Sequence, residues 1–364
     1  MKDIQYLLAL HSINGLGPIR LKSLLEHFSG DPKNAWEADI REIRGNGIPE
    51  SICQLLVETK KTLNPDKYLE DIQKAGIKWK TIFDESYPKL LKEIYDPPVV
   101  FYYKGEFRKE DERAIGVVGT RKMSGYGKLI TEKFTSGLVS AGFTIVSGLA
   151  RGVDCCAHRV AVSGNGRTIA VLGGGVNRIF PPENTRLAEE IANGHGAVIS
   201  EFPPDHPSVP GNFPARNRII SGLSLGVLVT EAAADSGSLI TARLATEQGR
   251  EVFAIPGPIT SDLSRGTGDL IREGARLVFE ASEIMDELGI ENVLSIKHKV
   301  LRENLEKISE EGKNIMEILQ NESKHIDEIG RELNLHSAKI SAELLKMEIT
   351  GLVKNLGGGI YSKT

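Results

Sequence analysis

Apolar positions along the chain change period from one stretch to the next. Between residues 113 and 280, β-branched and aliphatic runs recur as AIGVVGT, FTIVSG, TIAVLGGG, GAVISEF, GVLVTEA, EVFAIPG and RLVF. Most of these runs end at glycine, and segments with helical spacing separate them. Continuous apolar runs predict strands covered on both faces. Their alternation with helices predicts a Rossmann-like parallel sheet of α/β class, with helices on both sides. In such sheets ligands sit beyond the carboxyl ends of the strands.

The flanks have shorter periods. Residues 1–68 read as a helical module of helix-hairpin-helix or SAM-like type. Its stretch INGLGPIRLKSLLEHF pairs two helices through Gly15 and Gly17, with Pro18 suited to a first helical position. Arg20 and Lys22 follow, so the turn is either a phosphate site or a packing module. IREIRGNGIPESICQLL reads as a degenerate second copy. Residues 69–112 read as a connector with short strands, and 281–312 as a charged linker. Residues 313–364 read as three helices and a glycine-tipped hairpin, the order of a winged helix. Its third helix mixes Lys339 and Lys346 with Glu343 and Glu348. A protein-contact or regulatory role therefore stands beside DNA binding.

The candidate chemistry lies at the strand ends. VVGTRKMSGYG, residues 117–127, runs from a strand through a glycine turn into a helix. It lacks the G-x-G-x-x-G spacing and the later acidic residue of a dinucleotide site, and it is not a P-loop. No NAD or ATP cofactor is expected. What remains is a helix start with free N–H groups beside Gly119, Thr120, Arg121 and Lys122, an expected anion site. The pattern repeats along the sheet: Ser147, Gly148 and Arg151; Arg178 and Arg186; Arg216, Asn217 and Arg218; then Ser236 and Ser238. Gathered at one rim, these residues suit a run of phosphates. Glu201 and Glu231 end strands nearby, where a carboxylate either orients arginines or does chemistry. Asp235 is a candidate helix cap, and Asp154 stands at the i,i+4 spacing from His158.

Bulk composition narrows the field. A chain of 364 residues is long enough for two or three domains, and 40% hydrophobic content supplies their cores. No apolar run approaches the ~18 residues of a membrane helix. The opening MKDIQYLLALHS lacks the pattern of a signal peptide, so a cytoplasmic protein with no membrane partner is expected. Cys53, Cys155 and Cys156 have no metal-like spacing, and no metal is expected. The net charge of −4 means that any polyanion site must come from local clustering.

The ordered motifs VVGTRKMSGYG, SGLARGVDCCAHRVA, TIAVLGGGVNRIFPPENTRL, ISEFPPDHPSVPGNFPARNRIISGLS and VLVTEAAADSGSLITARLATEQGREVFAIPG resemble the DNA-processing protein A (DprA or Smf) family. The resemblance covers the whole sheet domain, and the flanking modules fit the family's three-part layout. It implies a protein without enzymatic activity that binds single-stranded DNA. Such a protein protects incoming strands and helps load the RecA recombinase during natural transformation. It implies a homodimer formed through residues 263–279, with Leu270 and Leu277 as candidate interface positions. It places the family's Gly-x-Arg turn on Gly119, Thr120 and Arg121. Its Ser-Gly-x-Ala-x-Gly motif falls on residues 147–152, and its Arg-Asn-Arg motif on Arg216, Asn217 and Arg218. One departure is that Pro182 and Glu183 stand where some members carry a DNA-contacting lysine, leaving Arg178 or Arg186 as its substitute. Two other classes compete. One is a phosphoribohydrolase acting on nucleoside monophosphates, whose double-glycine turn and closely following glutamate are missing here. The other is a winged-helix transcription regulator.

Overall fold

Caps and prolines punctuate the start of the chain, and they set the helices. These are α1 (Ile4–His11), α2 (Pro18–His27), α3 (Pro32–Glu37), α4 (Ile40–Gly45), α5 (Glu50–Thr62) and α6 (Pro65–Lys74). The side chains of Asp31, Asp39 and Asn64 accept backbone N–H bonds at the starts of α3, α4 and α6. Pro18, Pro32 and Pro65 open α2, α3 and α6, where a missing N–H costs nothing. The computed structural model describes residues 3–290, 309–319, 323–333, 335–349 and 352–363. They fall into two units, one ending at Leu288 and one beginning at Gly289.

β1 (Lys78–Thr81), α7 (Lys89–Lys92) and β2 (Val100–Gly105) come next. The seven apolar runs then become β3 (Ala114–Val118), β4 (Thr144–Ser147), β5 (Thr168–Val171), β6 (Gly196–Ser200), β7 (Gly226–Val229), β8 (Glu251–Ala254) and β9 (Arg276–Leu277). Between and after them lie α8 (Gly125–Ser140), α9 (Val153–Ser163), α10 (Thr185–Glu190), α11 (Asn212–Gly222), α12 (Ser238–Glu247), α13 (Arg265–Arg272) and α14 (Ala281–Glu287).

The nine strands form one sheet in the order β1-β2-β6-β5-β4-β3-β7-β8-β9. All pairings from β6 to β9 are parallel. β1 pairs antiparallel with β2, and β2 antiparallel with β6. The sheet is thus mixed, and the strands expected in a separate connector extend it. Tyr102 of β2, with Val99 and Val100, is buried in the same apolar cluster as Leu7, Leu21 and Leu24 of the first helices. That shared core explains why helices and sheet form one unit.

Both faces of the sheet are covered, as continuous apolar runs require. Ile169 and Val171 of β5 pack with Ile219 and Ile220 of α11 and Ala242 and Ala245 of α12. Ala170, pointing the other way, packs with Leu187 of α10 and with Val198 of β6. The strand order reverses at β3, which has β4 on one side and β7 on the other. Chain segments leaving β3 and β7 therefore diverge, and a crevice opens between them.

Residues 281–287, at the start of the charged linker, form α14, whose Ile284 and Met285 are buried, and they belong to the first unit. Most of that linker, residues 291–308, lies outside the described residues.

The second unit contains α15 (Glu310–Ile318), β10 (Lys324–His325), α16 (Ile326–Leu333), α17 (Ser337–Ile349), β11 (Val353–Gly357) and β12 (Ile360–Lys363). Ile315, Ile329, Ile340, Leu344 and Met347 form its core. Its hairpin turn needs positive φ at Gly357, Gly358 and Gly359, which is why three glycines occur there. Lys339 of α17 pairs with Glu311 at 2.6 Å, and Lys346 with Glu343 at 3.4 Å. No helix among the described residues is long and apolar enough to cross a membrane.

Leu270 and Leu277 do not share an outward face. Leu270 is 6% exposed and belongs to the main core, whereas Leu277 on the edge strand β9 is 41% exposed. The helical period of α13 turns Leu270 inward, which removes it as an interface candidate. Leu270→Ala is therefore expected to lower unfolding free energy by about 2–5 kcal/mol. Leu277→Ala is expected to change it by less than about 1 kcal/mol. Urea titration followed by circular dichroism checks both; equal effects would contradict the placement.

Candidate functional site

The crevice at the strand reversal is a cleft of about 840 Å³. The turn after β3 supplies Gly119, Thr120, Arg121 and Lys122; the segment after β7 supplies Ser236 and Ser238; the start of α11 supplies Phe213, Arg216 and Asn217. Residues distant in sequence thus meet where the topology leaves room for a ligand.

Glycine at 119 is required by contact. A Cβ there would lie 2.6 Å from the Val153 side chain and 2.7 Å from the Glu231 carbonyl. The Thr120 N–H donates to that carbonyl at 2.7 Å, and the Lys122 N–H donates to the Thr120 hydroxyl at 3.1 Å. The turn is therefore held through its backbone N–H groups, leaving the Arg121 and Lys122 side chains exposed. The Arg121 guanidinium lies 5.4 Å from the Phe213 ring centre. Neither cation pairs with a carboxylate among the described residues.

The helix start expected to offer free N–H groups to an anion already has a carboxylate beside it. Ser124 caps α8 by accepting from the Gly127 N–H at 3.0 Å. The Ser124 N–H and hydroxyl both donate to the Glu231 carboxylate. Glu231 is thus a built-in anion at the positive end of α8. What the turn presents to the cleft is its exposed Arg121 and Lys122 side chains.

Arg216 forms the floor. It is 4% exposed, and its Nη1 donates to the Val171 carbonyl at 2.8 Å. A Cβ at Gly148 would fall 1.6 Å from Nη1, so Gly148 makes room for the guanidinium. Burial lowers the pKa of Arg216 to about 10, against the pull of the Asp154 carboxylate. Asp154 is fixed by accepting the Gly148 and Ala150 N–H groups, and its pKa is raised by burial. It thus bonds to backbone, not to His158. His158 is buried; its Nδ1 meets the Thr168 hydroxyl at 2.7 Å, and burial with nearby Arg216 pushes its pKa down to about 3. It is a neutral packing residue.

Other candidates fall away from the cleft. The buried Ser147 hydroxyl donates to the Val117 carbonyl at 2.7 Å and ties β4 to β3. Arg218, one residue past Asn217 on α11, turns to the opposite side. There it is buried against Glu201 at 2.7 Å and Asp96 at 2.9 Å. Arg151 pairs with Glu183 at 2.6 Å, and Arg186 with Glu190 at 3.0 Å. Arg178 is exposed on the loop after β5, and none of these three lines the cleft. Asp235 lines the cleft without capping α12, whose N-cap is Gly237. At that helix start the Ser236 and Ser238 hydroxyls meet at 2.8 Å.

Two aromatic residues were missed as site residues. Phe180 and Phe213 line the cleft with ring centres 5.9 Å apart. Each stands directly before a proline beside the arginine motifs, in IFPPEN and NFPARNR. A rim aromatic next to cations was the available signal.

Glu231 accordingly acts as a cap. Glu231→Gln is expected to lower unfolding free energy by about 1–3 kcal/mol, since one buried acceptor is lost. Chemical denaturation measures this; unchanged stability would mean that the carboxylate does not hold α8.

A family model described as DNA recombination-mediator protein A matches residues 78–289, and the DprA winged helix domain matches residues 303–359. Protein Smf of Synechocystis sp. is 36% identical over 98% of this chain and 98% of its own. DNA processing protein DprA of Bacillus subtilis is 43% identical over 62% of this chain and 76% of its own. The crystal structure of DNA processing protein A from Streptococcus pneumoniae superposes with a TM-score of 0.69 at 37% identity, covering 79% of this chain and 99% of that one. A structure concerned with the single-stranded DNA binding mode of DNA processing protein A from Helicobacter pylori gives a TM-score of 0.52 at 31% identity, covering 58% and 95%. A family match across most of the sheet, with a full-length relative at that identity, makes the chain a member of the DNA recombination-mediator protein A family.

Proposed function

We propose that the chain binds single-stranded DNA in the cleft at the β3–β7 reversal. The observation that carries this reading is the Arg121 guanidinium beside the Phe213 ring, with Lys122 lining the same cleft, neither cation paired with a carboxylate among the described residues, above a floor formed by Arg216. Cations hold a phosphate backbone, and aromatic faces stack unpaired bases at about 1–3 kcal/mol each. Bases inside a duplex do not offer those faces. The Helicobacter pylori relative, described by its single-stranded DNA binding mode, supports the same ligand. The lysines of α17 face glutamates, which argues against that helix as a duplex reader.

The reading is of a binding protein. Glu201 and Glu231, the strand-end carboxylates suited to acid–base work, are engaged by Arg218 and Ser124. Following the family resemblance, we place the bound strand in natural transformation, where the protein protects it and helps load the RecA recombinase in the cytoplasm. A homodimer through the β9 edge is supported by the exposure of Leu277 and Phe279 there.

Arg121 grips phosphate through paired hydrogen bonds that lysine does not reproduce. Arg121→Ala is therefore expected to weaken binding to oligo(dT) more than Lys122→Ala, with Arg121→Lys rescuing only part. The log–log salt slope should fall by about 0.7 for one lost contact, alike across base sequences. Fluorescence anisotropy over a salt series checks this. A folded Arg121→Ala protein with unchanged affinity and slope, or wild type favouring duplex, would contradict the assignment.

A further inference from the structure

The floor of the cleft is chemically unlike its mouth. Arg121 and Lys122 are exposed, as suits a passing backbone. Arg216 is 4% exposed, and the contact from Nη1 to Val171 is its one hydrogen bond among the described residues. Its buried Nε has no partner. Asp154, its nearby counter-charge, is committed to two backbone N–H groups. A buried guanidinium with so few acceptors is costly unless an anion completes it. A second observation lies in the same cleft. The Ser236 and Ser238 hydroxyls bond to each other, and Ser238, 8% exposed, also donates its N–H to Ser236. When one hydroxyl donates to the other, one O–H is left without an acceptor among the described residues.

The kind of anion follows from access. A phosphodiester inside a strand carries one charge and two chain substituents, so both flanking nucleotides would have to descend with it. A terminal phosphomonoester has one tether, three free oxygens and a charge of about −1.5 to −2 near neutral pH. It can enter end-on and accept from several donors at once. We propose that Arg216, with the Ser236–Ser238 hydroxyl pair, forms a subsite for a terminal phosphomonoester, the phosphorylated end of a single strand whose following nucleotides pass Arg121 and Phe213. This rests on the strand-binding reading and adds a recognised end to it.

The test uses the full chain and oligo(dT) of one length carrying a 5′-phosphate, a 3′-phosphate or hydroxyls at both ends, with thymidine monophosphates as competitors. At least one phosphorylated form is expected to bind roughly tenfold more tightly than the hydroxyl form, about 1.4 kcal/mol. That gain should shrink in Arg216→Gln and in Ser236→Ala, measured in each variant as the ratio of phosphorylated to hydroxyl-ended affinity. The arm that gains tells the 5′ end from the 3′ end. Equal wild-type affinity for all three ends overturns the inference and leaves strand binding standing, whether or not Arg216→Gln folds. A gain that survives both substitutions also overturns it, as general charge attraction. Binding of a thymidine monophosphate with no binding of any oligo(dT) would keep the phosphate subsite and remove the strand reading.

Discussion

The reversal of strand order at β3 is the constraint on which the site depends. β3 is buried on both faces and flanked by parallel neighbours, so its exit can be relieved only beyond its carboxyl end. The chain from β3 turns toward α8, the chain from β7 turns toward α12, and α11 closes the third side. The crevice is thus a consequence of connectivity, and the side chains lining it inherit a place to act. Keeping it open requires internal polar structure. Glu231 holds the α8 start, Asp154 holds the turn after β4, and the Ser147 hydroxyl joins β4 to β3.

Carboxylate placement sorts the arginines. Arg151, Arg186 and Arg218 each face an acidic partner, and the first two pairs are exposed, where such pairs contribute little to stability. Arg121 and Arg216 line the cleft without a carboxylate hydrogen bond among the described residues, one at the mouth and one on the floor. A chain with net charge −4 can therefore present a local cationic surface. The effect comes from which cations are left uncompensated, not from how many there are.

Most of the sheet was legible because its strands are continuous apolar runs covered on both faces. β1 and β2 were harder to place. KWKT pairs antiparallel with VFYYKG, and VFYYKG antiparallel with β6, a long-range choice that no local pattern reveals. Within the site, Gly119, Arg121 and Lys122 could be read from the strand–turn–helix pattern. The engagement of Glu231 could not, because it lies 107 residues from Ser124 and reaches it only through the β3–β7 pairing. Arg216 and Arg218 look equivalent in RNR, yet a two-residue step turns about 200° around a helix, so one enters the cleft and the other an internal ion pair. Leu270 and Leu277 were grouped by the family resemblance, but burial on α13 separates them.

Amide hydrogen–deuterium exchange of the full chain, with and without saturating unphosphorylated oligo(dT), tests the central claim most directly. The account predicts slowed exchange in residues 119–127, 212–217 and 236–241, the three segments that meet at the strand reversal, with no change in 13–20 or 183–190. Protection confined to the hairpin at 13–20 or to the helix at 337–349, with none at the reversal, would place the strand elsewhere and contradict it.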